Sequence, residues 1–259
     1  DRPPFKTCIC HGVVLDEDGK KLSKRLQNYP SPEEVFSSYG ADALRWFLVS
    51  SPILRGADLQ IDREGKAIGE IVRLVINPIW NAWYFFSLYA NADGVRASFR
   101  TDQTGRLDRY ILAKTREMVS ELTQSMDDHD LTGACQVVRR FLDATNNWWI
   151  RRSRDRFWKA EHDQDKQDAY DTLYTWLEVL CRAAAPLLPL ITEEVWKGLT
   201  GGKRVHLEDW PDAATLPDDA ALVRDMDRVR EVCSAGLAVR SEHNVRVRQP
   251  LAKLTVAGA

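Results

Sequence analysis

The residues best suited to chemistry form a short basic run, Lys20-Lys21-Leu22-Ser23-Lys24-Arg25. Lys21 and Lys24 lie three positions apart on a loop, so both can reach one polyphosphate. There they would neutralise the charge that builds as pyrophosphate leaves an α-phosphate. Ser23 can donate a hydrogen bond to the same oxygens. A solvated basic loop would use the same residue types without any chemistry, and spacing leaves both readings open. A second constellation spans residues 139–159. Here Arg139, Arg140, Arg151, Arg152, Arg154, Arg156 and Lys159 outnumber Asp143 and Asp155, and Trp148, Trp149, Phe157 and Trp158 interleave with them. Basic groups with aromatics suit RNA, because guanidinium groups contact phosphates and rings stack on splayed bases. The plainer alternative packs the rings in a core and pairs the arginines with helix acids such as Glu178, Glu193 and Glu194. Four arginines at adjacent or alternate positions cannot all turn inward, since an unpaired buried guanidinium is too costly. Some of Arg151, Arg152, Arg154 and Arg156 are therefore expected at the surface with Lys159.

Other reactive residue types point to structure. Cys8, Cys10 and His11 lack the second ligand pair of a zinc site. His129, His162, His206 and His243 stand in no catalytic spacing, and Asp127, Asp128 and Asp130 read as caps at a helix boundary. No metal site is expected. The five cysteines are odd in number and follow no secretory signal, which places reduced thiols in the cytoplasm.

The elements that must carry these groups are mostly helical. The chain has 259 residues, with 44% hydrophobic and 29% charged residues and a net charge of −2. That balance excludes a disordered chain and a globally basic nucleic-acid binder, but permits a local basic patch. No apolar run is long and uninterrupted enough for a membrane span. Val13, Val14 and Leu15 followed by Asp18-Gly19 read as a strand and a tight turn leading into the basic loop. Ser31-Pro32-Glu33-Glu34 starts a short helix that Gly40 ends, and a second helix covers residues 41–49. Residues 68–90 are apolar nearly all round, which predicts a buried central helix kinked at Pro78. Helical stripes follow through Leu107, Ile111, Met118 and Leu122, through Leu131, Ala134, Val138 and Phe141, and through Tyr170, Leu173, Leu177 and Cys181. Thr192 is expected to cap a further short helix. Leu222, Met226, Val229, Cys233 and Leu237 mark the last helix, with strands predicted at Val245 and Val247 and over residues 254–256. The fold class is mainly α. An antiparallel helix bundle carries a small α/β piece at its N-terminus and a short β-containing subdomain at its C-terminus.

Four segments resemble one family in order along the chain. His11-Gly12 through Leu26 resembles the signature loop of class I aminoacyl-tRNA synthetases, usually written K-M-S-K-S, with Leu22 in place of Met and Arg25 in place of the last Ser. Tyr39-Gly40-Ala41-Asp42-Ala43-Leu44-Arg45 resembles the segment that follows it in the isoleucyl, valyl and leucyl branch. Asn147-Trp148-Trp149-Ile150-Arg151-Arg152-Ser153-Arg154-Asp155-Arg156-Phe157-Trp158 and Val245-Arg246-Val247-Arg248-Gln249-Pro250-Leu251 are similar to segments of the isoleucyl enzymes, and argue against a valyl one. The H-I-G-H motif, the editing domain and the zinc-binding tail of that family have no counterpart here, and the chain opens without Met, so it is read as a piece of a longer protein.

The resemblance implies that Lys21, Ser23 and Lys24 act in catalysis and that Lys21, Leu22, Ser23, Lys24 and Arg25 bind ATP, which magnesium accompanies. It implies contacts to isoleucine tRNA from Arg151, Arg152, Arg154, Arg156, Lys159 and Trp148. The expected organisation is the end of a catalytic domain over residues 1–62, an anticodon-binding bundle over 63–202 and the start of a junction subdomain over 203–259. The full-length protein is expected to be a cytoplasmic, monomeric ligase that joins isoleucine to its tRNA. This piece is expected to bind tRNA without catalysing. A helical scaffold with no RNA role is the rival reading.

Overall fold

Two short parallel strands anchor the N-terminal segment in the computed structural model, which describes residues 2–256. Asp1 and residues 257–259, the outer ends of the first and third expected segments, lie outside the described residues. β1 (Val14–Leu15) pairs with β2 (Leu59–Gln60), with Val14 opposite Leu59. The strands approach closely just before β1. A Cβ on Gly12 would sit 2.0 Å from the Ala57 carbonyl oxygen, so only glycine fits.

Between the strands lie α1 (Pro32–Tyr39), α2 (Ala41–Val49) and one 3₁₀ turn (Pro52–Arg55). Gly40, at a φ of 83°, breaks the chain between the two helices. The Ser31 hydroxyl donates to Glu33 and caps no backbone N–H.

The apolar stretch forms one rod: α3 (Lys66–Ile71), a π-helical turn (Val72–Ile76) and α4 (Asn77–Asp93). Pro78 offers no N–H to the Leu74 carbonyl and its ring crowds it. The widened turn immediately before Pro78 accommodates both effects. Burial is one-sided, contrary to the pattern. Ile68, Val75, Ile79, Ala82 and Phe86 enter the core, whereas Trp80, Tyr84 and Leu88 stay exposed.

α5 (Arg106–Asp127) and α6 (Leu131–Leu142) form an antiparallel pair. Asp130 caps α6 by accepting the Gly133 N–H at 3.0 Å and binds Arg55 of the N-terminal segment at 2.8 Å. α7 (Arg151–Trp158) continues the α6 rod. α8 (Gln164–Ala184) runs through the middle, with Ala169, Tyr170, Leu173, Trp176, Leu177 and Leu180 sealed from solvent. α9 (Pro189–Thr200) begins three residues before Thr192, whose hydroxyl bonds back to the Leu188 carbonyl inside the helix. The cap comes from another element: the Asp42 carboxylate on α2 accepts the N–H groups of Leu190 at 3.0 Å and Ile191 at 2.7 Å. Burial nonetheless pushes the Asp42 carboxyl above its ordinary value. Arg45 donates to the Pro186 carbonyl at 2.7 Å. Asp42 and Arg45 together fasten the loop-bearing segment to the turn between α8 and α9.

α10 (Ala220–Glu242) lies along α5. The strands predicted at Val245 to Val247 and over 254–256 do not form among the described residues. The end of α10 instead takes up backbone groups of the turn that replaces the first of them. Val245 N–H donates to the Arg240 carbonyl at 2.8 Å, and the Arg240 guanidinium donates to the carbonyls of Arg246 at 3.0 Å and Gln249 at 2.9 Å. A strand needs a neighbouring edge for its alternating donors and acceptors, and no such edge lies beside this segment among the described residues.

Candidate phosphate loop and nucleic-acid groove

The basic loop leaves β1 through a turn in which Gly19 N–H donates to the Asp16 carbonyl at 3.0 Å and Asp16 N–H to the Lys20 carbonyl at 2.8 Å. Gly19 adopts a φ of 77°, which the turn requires. Lys21 then pairs with Leu15 in a single antiparallel bridge. Leu22 packs against the core and anchors the run. Lys20 pairs with Asp18 at 3.3 Å, but the side chains of Lys21, Lys24 and Arg25 are exposed and make no hydrogen bond or ion pair among the described residues. The loop thus presents unpaired cations on an apolar anchor, a surface suited to an anion and not to a metal. No group of three or more His, Cys, Asp or Glu side chains among the described residues could hold a metal ion.

The second constellation sits where α6 passes into α7. Residues Asp143–Ile150 are π-helical. Side-chain donors explain the widening: Thr145 Oγ1 donates to the carbonyls of Phe141 and Leu142, both at 3.1 Å, and Asn146 Nδ2 donates to Leu142 at 3.2 Å. Both adjacent tryptophans are buried. Trp149 enters the bundle, edge-on to Phe157, and its indole N–H donates to Asp108 at 3.0 Å. Trp148 lines a groove of about 990 Å³ between this stretch and α10, with Arg151, Arg152, Arg230, Cys233 and Arg246. The Arg152 guanidinium stacks over the Trp148 ring, 3.2 Å from its centre. Asp143 is the one carboxylate among the lining residues, and Arg230 neutralises it at 2.6 Å.

The six residues expected to meet RNA therefore divide. Arg151, Arg152 and Arg154 are exposed, and the side chains of Arg151 and Arg154 have no hydrogen-bond or ion-pair partner among the described residues. Trp148 is a buried floor beneath Arg152. Arg156 corrects the expectation: it turns inward with Ser153 and Phe157 and grips Asp108 with two bonds at 2.8 and 2.7 Å. Its guanidinium also contacts Asp165 at 2.9 Å. Burial pushes the Asp108 carboxyl above its ordinary value, against the pull of this guanidinium. Lys159 is likewise committed, to Asp163 at 2.6 Å and Asp165 at 3.1 Å. Periodicity could have marked Arg156 as inward, because it lies seven positions after Trp149 and three after the buried Ser153, beside the buried Phe157. Nothing in the sequence marked Asp108, 48 positions away, as its partner. Arg230 and Arg246 were not among the expected RNA contacts, for they reach the groove only through the packing of α10 and the turn after it.

Asp227 holds α10 in place. It accepts from Tyr110 at 2.7 Å, Lys114 at 2.7 Å and Arg230 at 2.8 Å. Burial raises its carboxyl, but these donors outweigh burial and hold it below its ordinary value. A carboxyl held lower in the folded than in the unfolded chain contributes stability above its unfolded pKa, and that stability is lost as pH falls through the folded value. The amides of α10 are therefore expected to lose hydrogen-exchange protection relative to those of α8 as pH drops below about 4. D227N should abolish the difference by loosening α10 already at neutral pH.

A helical bundle joined by a short α/β segment to an exposed lysine loop is the architecture of class I tRNA synthetases around their anticodon-binding domain. The chain superposes on the Agrobacterium radiobacter K84 LeuRS–tRNA–LeuAMS complex with a TM-score of 0.60 at 21% identity, over 82% of this chain and 24% of that one. It superposes equally, at 0.60 and 18% identity, on Mycobacterium tuberculosis methionyl-tRNA synthetase, over 71% of this chain and 36% of that one. Residues 1–62 match the family of class I tRNA synthetases for I, L, M and V, and residues 108–256 match the anticodon-binding domain of tRNA ligase. The chain belongs to this anticodon-binding family of tRNA ligases. It is similar to the isoleucine–tRNA ligases of Leifsonia xyli subsp. xyli (55% identity), Mycobacterium tuberculosis (52%) and Wolbachia pipientis wMel (49%), in each case over 99% of its own length. It spans 23–24% of the length of those relatives. No described helix is long and apolar enough to cross a membrane.

Proposed function

We propose that this chain is the tRNA-binding and phosphate-loop portion of an isoleucine–tRNA ligase. The observation that carries the reading is the groove between the π-helical stretch and α10, lined by four arginines around one neutralised carboxylate in a chain of net charge −2. In the whole enzyme, isoleucine and ATP form an enzyme-bound adenylate and release pyrophosphate. The acyl group then passes to the 3′ end of isoleucine tRNA. Lys24 meets the departing phosphates, Lys21 and Ser23 support it, Leu22 holds the loop to the core, and Arg25 adds charge at the same ATP site. Magnesium would accompany ATP and, with Lys21 and Lys24, would offset charge on the phosphates. Residues 1–62 serve the catalytic half, 63–202 form the bundle that receives the anticodon stem, and 203–259 begin a junction subdomain. The whole enzyme acts as a cytoplasmic monomer, and the 259-residue chain alone binds tRNA without forming adenylate.

Arg151 and Arg154 contact the RNA backbone directly and Arg152 does so from its perch on Trp148, whereas Arg156 and Lys159 hold the segment from behind. R151A/R154A should weaken binding of isoleucine tRNA in a fluorescence titration and flatten the log–log salt dependence by about 1–2 units. Helical content and melting temperature should stay at parental values, since both side chains are exposed and neither has a hydrogen-bond or ion-pair partner among the described residues. Binding as tight as the parent's at every salt concentration would remove this surface from the RNA interface.

A further inference from the structure

The turn that carries Lys21 and Lys24 is tied at its base by two side chains outside the basic run. Asp16 Oδ1 accepts the backbone N–H of Lys20 at 2.7 Å and of Asp18 at 3.1 Å. Its Oδ2 accepts from Asn28 Nδ2 at 2.6 Å. Asn28 reaches the middle of the run from the other side: its Oδ1 accepts the Ser23 N–H at 2.8 Å, and its Nδ2 also donates to the Lys21 carbonyl at 3.3 Å. One amide therefore bridges the strand end, where the loop departs, and the two backbone groups that flank Leu22. Asp16 is only 6% exposed, and every hydrogen-bond partner of its carboxylate is an N–H of this turn or of Asn28. Beyond the bridge, the N–H groups of Leu26 and Gln27 both converge on the Ser23 carbonyl, at 3.1 and 2.9 Å, with Gln27 in the left-handed region at a φ of 46°.

Four cations in six residues repel one another and drive an untethered loop apart. The Asp16–Asn28 pair opposes that repulsion through the backbone and leaves the lysine side chains free. We propose that Asp16 and Asn28 are positioning residues, which hold residues 20–27 together as one unit so that Lys21 and Lys24 meet a polyphosphate as a pre-arranged pair. A loop already ordered loses less conformational entropy on binding than a mobile one. The catalytic consequence rests on the reading of Lys21 and Lys24 as phosphate contacts; the lock itself does not.

The lock is tested by limited trypsin digestion of the 259-residue chain, with cleavage after Lys24 and Arg25 followed by mass spectrometry. N28A should be cut there about tenfold faster or more, with bundle helicity unchanged, and D16N should behave alike. The exchange D16N/N28D should slow cleavage well below that of N28A but not fully to the parental rate, because the introduced carboxylate cannot donate to the Lys21 carbonyl. The introduced amide keeps an oxygen for the N–H groups of Lys20 and Asp18 and turns its NH₂ toward the introduced carboxylate, which still accepts the Ser23 N–H. Cleavage of N28A at the parental rate overturns the lock, as does a double variant cut as fast as N28A, and the double variant decides even if N28A unfolds. In the longer isoleucine–tRNA ligase that contains this chain, N28A should lower kcat for isoleucine-dependent ATP–pyrophosphate exchange and D16N/N28D should restore it in part. Parental exchange in N28A, where K24A has lost exchange, overturns the positioning role. Parental exchange in K24A alongside fast loop cleavage in N28A counts against the phosphate reading and upholds the lock.

Discussion

Arg156→Ala lowers the unfolding free energy of the chain by about 3–5 kcal/mol in a denaturant titration at pH 7. The side chain looks like one of a cluster of surface cations, but it is 16% exposed and its partner Asp108 is 2% exposed. Among the described residues, truncation leaves the buried carboxylate with only the Trp149 indole N–H, at 3.0 Å, for a partner. Two controls separate this cause from loss of packing. D108L/R156M, which removes both charges and keeps apolar volume, should be far less destabilised than R156A. Acid should also partly rescue R156A. Burial pushes the Asp108 carboxyl up, and further once the guanidinium is gone. A carboxyl raised in the folded state contributes its stability fully below the unfolded pKa and loses it as pH rises through the folded value. R156A should therefore fall furthest behind the parent near neutral pH and recover toward pH 4, the opposite of the trend expected for Asp227. Equal destabilisation at both pH values would show that Arg156 acts by packing.

Lys24→Ala in the whole ligase should slow adenylate formation by about 10²–10³-fold, the loss of roughly 3–4 kcal/mol that accompanies removal of one preorganised charge-stabilising contact. The Lys24 side chain makes no hydrogen bond or ion pair among the described residues, so its removal leaves no orphaned partner and the fold should be untouched. In the proposed role of Lys24 at the departing phosphates its charge matters most as they gain charge, so the turnover number for ATP–pyrophosphate exchange should fall while the Michaelis constant for isoleucine stays near the parental value. An unchanged turnover number with raised Michaelis constants would make Lys24 a ground-state contact.

What the sequence determined by itself is the set of local choices. The Asp18-Gly19 turn before the lysines, Pro32 at a helix start, the break at Gly40 and the stripes of α5, α6 and α8 all follow from backbone sterics and a 3.6-residue period acting within a few residues. The order of four motifs placed the chain in its family. Only the tertiary structure decided which charges are spent. Arg156 and Arg154 are two positions apart with the same side chain, yet one closes on Asp108 inside the bundle and the other faces solvent. That choice depends on a carboxylate brought in by α5. The cap of α9 was illegible for the same reason, because its carboxylate, Asp42, arrives from 148 positions away. The strands expected after α10 failed because alternation declares only a preference, and a strand exists only where another edge supplies its hydrogen bonds. Helix periods and turns are short-range sterics and can be read along the chain, whereas ion pairs, caps from afar and sheet edges require a partner that only folding delivers.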